Sequence, residues 1–194
     1  MALKKIATGY KVTFWVIILV ALDQLVKLLV HHNLEVGQSI EVFKWFNLCY
    51  VENPGFAFGM ELGGGNIGKI ILSCFRLVMI AALCYGIHYL IQKGDEVPKG
   101  VLAGAVLILA GAIGNMVDST FYGLFIEEQG TGLLTGKVID MIHLPLFKWE
   151  NCPALLDFLV GADGYFFGAV FNVADSYITV AVVYLLLFHY KFFK

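Results

Sequence analysis

Four stretches of the chain are almost continuously apolar: Val12–Val30, Ile67–Ile91, Pro98–Val117 and Val170–Phe188. Each is close to the roughly 20 residues a helix needs to cross bilayer hydrocarbon. Polar residues interrupt them at few positions. The first run carries Asp23, Gln24 and Lys27, the second Lys69 and Arg76, and the fourth Asn172 and Asp175. Pro98 suits the opening turn of the third helix, where its missing N–H is not needed. Around residues 39–58 the period changes. From Ile40 to Tyr50 one parity reads Ile40, Val42, Lys44, Phe46, Leu48, Tyr50, a strand-like alternation with one exception. Glu52-Asn53-Pro54-Gly55 then reads as a turn. Residues 119–169 mix aromatic residues with glycine and acids, too polar to span and too apolar to float free, which points to amphipathic pieces lying on the membrane surface. The expected fold is a membrane all-α protein of four transmembrane helices. A small extracytoplasmic β-sheet and amphipathic segments complete one integral-membrane domain over residues 1–194.

Composition agrees with this pattern. Of the 194 residues, 59% are hydrophobic and only 14% charged, with a mean hydropathy of +0.80. A water-soluble fold and a disordered chain are both excluded. The net charge of −2 leaves no basic footprint for nucleic acid. Charge placement sets direction. Lys4, Lys5 and Lys11 precede the first helix and Lys191 and Lys194 follow the fourth, while residues 33–66 and 119–169 are net acidic. Both termini are therefore expected in the cytoplasm and the two long connections outside. The first run holds Asp23 and Lys27 and ends without an A-x-A site, so it reads as a retained helix rather than a cleaved signal. The cysteines and histidines form no ligand cluster, and neither a metal nor a cofactor is expected. Cys49 and Cys152 lie outside the apolar runs and are free to pair or not.

Ionisable groups inside membrane spans are costly, which makes them functional candidates. Asn115 and Asp118 end the third run, and Asn172 and Asp175 begin the fourth. Both pairs are spaced i,i+3, which puts each pair on one helical face near the outer boundary. Asp140 is flanked by Val138-Ile139 and Met141-Ile142, an unusual setting for a solvated acid. Two carboxyls close together in a low-dielectric site share a proton and can act as acid and base on water. Spacing alone suggests Asp118 with Asp175. The plainer reading is that these acids cap helices or join them by hydrogen bonds. Asp23 and Lys27 are i,i+4 in the favourable order and suit an ion pair supporting the outer site. Arg76 could reach outward, pair with an acid or meet a lipid phosphate.

Read together, the motifs resemble the lipoprotein signal peptidase (signal peptidase II) family. The blocks are Asp23-Gln24-Leu25-Val26-Lys27, Glu52-Asn53-Pro54-Gly55-Phe56-Ala57-Phe58, Gly111-Ala112-Ile113-Gly114-Asn115-Met116-Val117-Asp118, Val138-Ile139-Asp140-Met141-Ile142 and Phe171-Asn172-Val173-Ala174-Asp175-Ser176. Their joint order over residues 12–190 carries the likeness. The resemblance implies an intramembrane aspartic endopeptidase of the bacterial cytoplasmic (inner) membrane, with its site on the extracytoplasmic side. It implies a diacylglyceryl-prolipoprotein substrate cut just before the lipidated cysteine, in contact with membrane lipids. The chain is expected to act as a monomer. Asp140 and Asp175 become the catalytic dyad, and Asp118 a supporting residue. Asn53, Gly55, Asn115 and Asn172 become residues that orient site and substrate, and Asp23 with Lys27 the first-helix supporting pair.

Two departures accompany the likeness. Ser119 follows Asp118 where the family block usually continues with Arg, so another residue would have to supply that contact. The gaps of 21 residues between Asp118 and Asp140, and 34 between Asp140 and Asp175, exceed the compact pattern. The added length is expected to form a lid or substrate platform, or else a neutral surface insertion. The competing functions are a small proton-coupled carrier using Asp118 and Asp175, and a non-catalytic membrane assembly factor.

Overall fold

The computed structural model describes residues 2–54, 65–126, 129, 132–153, 156, 160–161 and 164–194. All four apolar runs are helical. They form α1 (Ala2–Asn33), α2 (Gly65–Lys93), α3 (Lys99–Val117) and, after a π-helical turn over Asp118–Tyr122 and a single turn α4 (Gly123–Phe125), α5 (Val173–Phe188). The first two outrun their apolar cores because the flanking residues include no proline. Among the described residues, three helices are long and apolar enough to cross a membrane, whereas α5 is a shorter apolar helix of 16 residues. Large apolar side chains such as Phe14, Ile17, Phe75, Val78 and Leu186 stand exposed along the helices, the surface of a protein whose solvent is lipid.

The expected start of the last helix at Val170 is corrected to Val173. Phe171 is held in extended form by β3 (Val138–His143): its N–H donates to the Ile142 carbonyl at 3.0 Å, and its carbonyl accepts from Met141 and Ile142. Asn172 and Asp175 therefore stand at the mouth of α5, not several residues inside it.

The expected strand region resolves into β1 (Ser39–Phe43) and β2 (Phe46–Asn53), antiparallel to each other. β2 also pairs with β3, giving a sheet of order β1-β2-β3. The turn expected at Glu52–Gly55 is corrected in part. Glu52 and Asn53 continue the strand, paired with Ile139 and Val138, while Gly55 and residues 56–58 lie outside the described residues. The amphipathic pieces expected over 119–169 are likewise replaced, where described, by the π-helical turn, by β3, and by a small antiparallel pair, β4 (Phe147–Lys148) with β5 (Tyr165–Phe166). β3 is buried along Val138–Met141, so it lacks the alternation that marks a half-exposed strand. No disulfide joins Cys49 to Cys152.

Two apolar cores hold the parts together. Val12, Val16, Ile87, Val106 and Leu109 pack α1, α2 and α3 at one end. Val30, Tyr50, Tyr122, Ile139 and Met141 pack the end of α1 and the α3 extension under the sheet. Between these cores α3 lies closely against α5, because Gly111 and Gly114 lack side chains. A Cβ on Gly114 would stand 2.7 Å from Asp23 Oδ2 and 3.2 Å from the Ala174 Cβ. The close approach brings the C-terminal end of α3, the N-terminus of α5 and Asp23 of α1 to one level.

Candidate active site

At that level the buried polar residues divide into two linked groups. The first surrounds Lys27. Asp23, Lys27 and Asp118 are fully buried, and Lys27 Nζ lies 2.8 Å from Asp23 Oδ2 and 2.6 Å from Asp118 Oδ2. Gln24 Nε2 donates to Asp118 Oδ1 at 2.7 Å, and Tyr122 Oη donates to Gln24 Oε1 at 3.0 Å. Asp23 Oδ1 accepts the Ala174 N–H at 2.9 Å, satisfying an otherwise orphaned donor in the first turn of α5. The cation is matched by two carboxylates, which makes its burial tolerable.

The second group surrounds Asp140 and Asp175. Asn172 is the N-cap of α5: its Oδ1 accepts from the Asp175 N–H at 2.9 Å, and its own N–H reaches Asp175 Oδ2 at 3.4 Å. The Asn172 Nδ2 donates to Asp140 Oδ1 at 2.7 Å and to Asn115 Oδ1 at 3.0 Å. Asn115 Nδ2 then donates to Asp175 Oδ1 at 2.8 Å. On the sheet side, Asn53 Nδ2 donates to Asp140 Oδ2 at 2.9 Å, because Asn53 pairs with Val138 and Asp140 lies two residues on, across the same face. Three asparagines thus bind two carboxyls carried on a strand and a helix. Burial, opposed by the Asn53 bond and reinforced by the Asp175 charge, pushes the Asp140 carboxyl up to about 7. Lys27 joins the two groups by donating to Asn115 Oδ1 at 3.0 Å.

The structure therefore brings Asn53, Asn115, Asp140, Asn172 and Asp175 together, with Asp23, Lys27 and Asp118 beside them. The pairing of Asp118 with Asp175 suggested by spacing is not what forms, because Asp118 turns to Lys27 and Gln24 while Asp175 turns to the asparagines. Gln24, Tyr122, Arg76 and Ser119 join the surroundings of the site, beyond the residues expected to form it. Gln24 had a visible signal, lying between Asp23 and Lys27. The bond from Arg76 Nη1 to Ser119 Oγ, at 2.6 Å, crosses 43 residues of sequence and had none. Among the described residues no group of three or more His, Cys, Asp or Glu is placed to hold a metal ion.

The family model described as signal peptidase (SPase) II matches residues 15–191. The chain belongs to the signal peptidase II family. Lipoprotein signal peptidase of Porphyromonas gingivalis is 36% identical over 95% of this chain and 84% of its own length. The protein of the same name from Amoebophilus asiaticus is 33% identical over 87% of this chain and 72% of its own. A solved structure described as a bacterial membrane enzyme, determined by the in meso method, shares the fold. Its TM-score is 0.61 at 23% identity, covering 91% of this chain and 90% of the other. As a member of the signal peptidase II family this chain is a membrane protein and a protease, and the carrier and assembly-factor readings give way to an enzyme.

Proposed function

We propose that this chain removes the signal peptide from diacylglyceryl-modified prolipoproteins, hydrolysing the peptide bond just before the lipidated cysteine, with Asp140 and Asp175 as the acid–base pair. One observation carries the reading. Two carboxyls from distant segments meet in a cage of asparagine amides, and among the described residues neither is in an ion pair. The curated relatives named for this activity support the substrate class.

The roles follow from the surroundings. Asp140, buried and holding its proton to about pH 7, is the acid. Asp175 is less buried and accepts N–H bonds from Asn115 and Asn172, so it is the base facing water. Asp175 takes a proton from water, and the water oxygen bonds to the scissile carbonyl carbon. The Asp140 proton passes to the carbonyl oxygen, giving a neutral diol. The proton now on Asp175 moves to the leaving nitrogen, the C–N bond breaks, and a diol proton returns to Asp140. The asparagines keep both carboxyls in register through this exchange.

In this proposal four helices cross the bacterial inner membrane as one domain, α5 crossing with the help of its flanking residues. Both termini are cytoplasmic, and the dyad lies at the outer boundary under the sheet. The enzyme acts as a monomer on a substrate whose acyl chains and apolar helix are presented from the lipid. Depth is part of the mechanism, since water must reach a bond whose flanks are membrane-embedded.

The test uses the purified full chain in lipid with a diacylglyceryl-modified precursor, read as a gel shift. The wild type releases the signal peptide, while D140N and D175N do not. Processing that survives either substitution overturns the dyad.

A further inference from the structure

The cations around the site differ in what holds them. Lys27 is committed to Asp23 and Asp118, Lys137 pairs with Glu52 at 2.6 Å, and Lys69 donates to the Thr135 carbonyl at 3.1 Å. Arg76 of α2 is bound differently. Its Nη1 donates to the hydroxyl of Ser119 at 2.6 Å, and that hydroxyl spends its own proton on the Asn115 carbonyl at 3.0 Å. Ser119 is 4% exposed, so the contact is fixed rather than fluctuating at a surface. Among the described residues no carboxylate forms an ion pair with Arg76, and its charge is left uncancelled by its contact partner. The carboxylates of Asp175, Asp118 and Asp140 all lie within its electrostatic reach.

We propose that Arg76, anchored on Ser119, is a positioning residue for this reaction: its fixed positive charge holds the Asp140–Asp175 pair in the singly protonated form and sets the pH range in which the enzyme works. The inference rests on the dyad reading above. The charge count around the site explains the need. Lys27 with Asp23 and Asp118 leaves one net negative charge beside the dyad. A singly protonated dyad adds a second. Two like charges in a poorly solvated site push the pair toward taking up another proton, which would remove the base. Arg76, reaching in from the remaining helix, offsets this. Glu52, Lys137 and Lys69 are tied to one another's surroundings on the sheet side and make no contact with the dyad carboxyls.

The anchor fits the task. A guanidinium cannot be deprotonated, so its charge does not follow pH. A neutral hydroxyl fixes its position without neutralising it. The Ser119 bond to the Asn115 carbonyl also ties the cation to the residue whose side chain binds Asp175.

The experiment is the pH–rate profile of precursor processing by the full chain in lipid, for wild type, R76Q, R76K, S119A and D140N. Thermal unfolding of each is followed in parallel. Removing the cation makes the pair harder to ionise, so R76Q moves the acidic limb to higher pH, on the order of one unit. R76Q is therefore slower than wild type below neutrality and regains activity as pH rises. R76K keeps the charge and stays near the wild-type profile. S119A, which leaves the charge but frees its anchor, shifts the limb the same way by roughly a few tenths of a unit. An R76Q profile that coincides with wild type, or an R76K profile that coincides with R76Q, overturns the inference. If R76Q yields no folded protein, S119A decides, and an unshifted limb overturns it. Processing by D140N at the wild-type rate would sink the dyad itself. An inactive D140N with an unshifted R76Q would sink only the role of Arg76.

Discussion

The site holds two pairs of acids with opposite fates. Asp23 and Asp118 share the ammonium of Lys27, while Asp140 and Asp175 share the amides of Asn53, Asn115 and Asn172. Residue type and depth are similar, and the partner makes the difference. A carboxylate bound to a cation serves the architecture, here joining α1 to α3 and satisfying an N–H in the first turn of α5. A carboxyl bound by neutral amides has its geometry fixed but its proton negotiable, which acid–base chemistry requires.

That contrast can be broken from either side. The largest effect is expected at the amide-bound pair. D175N should lower precursor processing at least ~1000-fold, roughly 4 kcal/mol in barrier, with little change in thermal unfolding. A protein that stays active, or one that unfolds, would erase the distinction. At the ion-paired site the outcome reverses in kind. K27M leaves two buried carboxylates without their cation and should cost about 3–5 kcal/mol of stability, read as a large fall in melting temperature. N172A tests the junction between acid and helix. It should slow processing about 100-fold and remove the α5 cap, a further loss of about 1 kcal/mol in stability. The smallest effect is a pH dependence. The folded state holds the Asp140 proton up to about pH 7, whereas the unfolded chain releases it near the ordinary carboxylate value. The stabilising contribution is thus complete at acid pH and is lost as pH rises toward 7. D140N, which cannot ionise, should gain on wild type by about 2 kcal/mol between pH 5 and pH 7, measured by thermal unfolding at both.

The sequence made the helices plain, because apolar runs of this length have few alternatives. Their ends were less legible. The start of α5 depends on Phe171 being drawn into a strand by Ile142, a contact across 29 positions that no local pattern announces. β3 was hidden for a related reason: buried on both sides, Val138–Met141 shows no alternation. Spacing located the acids on helical faces but not the neighbours those faces meet. Asp118 and Asp175 therefore looked like partners, although Lys27 claims the first and Asn115 the second. The choice of Asp140 came from the family resemblance. Its juxtaposition with Asp175 rests on the strand contact at Phe171 that the sequence did not disclose.

That contact also explains how the chain carries a wide spacing between two residues that must stay in register. Ile142 and Phe171 are stitched together by a pair of N–H···O bonds, so the segment between them begins and ends at one point. The excursion is a purse closed by its own drawstring. Its contents can grow or shrink over generations at a modest entropic cost, since closure depends only weakly on length, while the distance between the two working carboxyls is set at the neck.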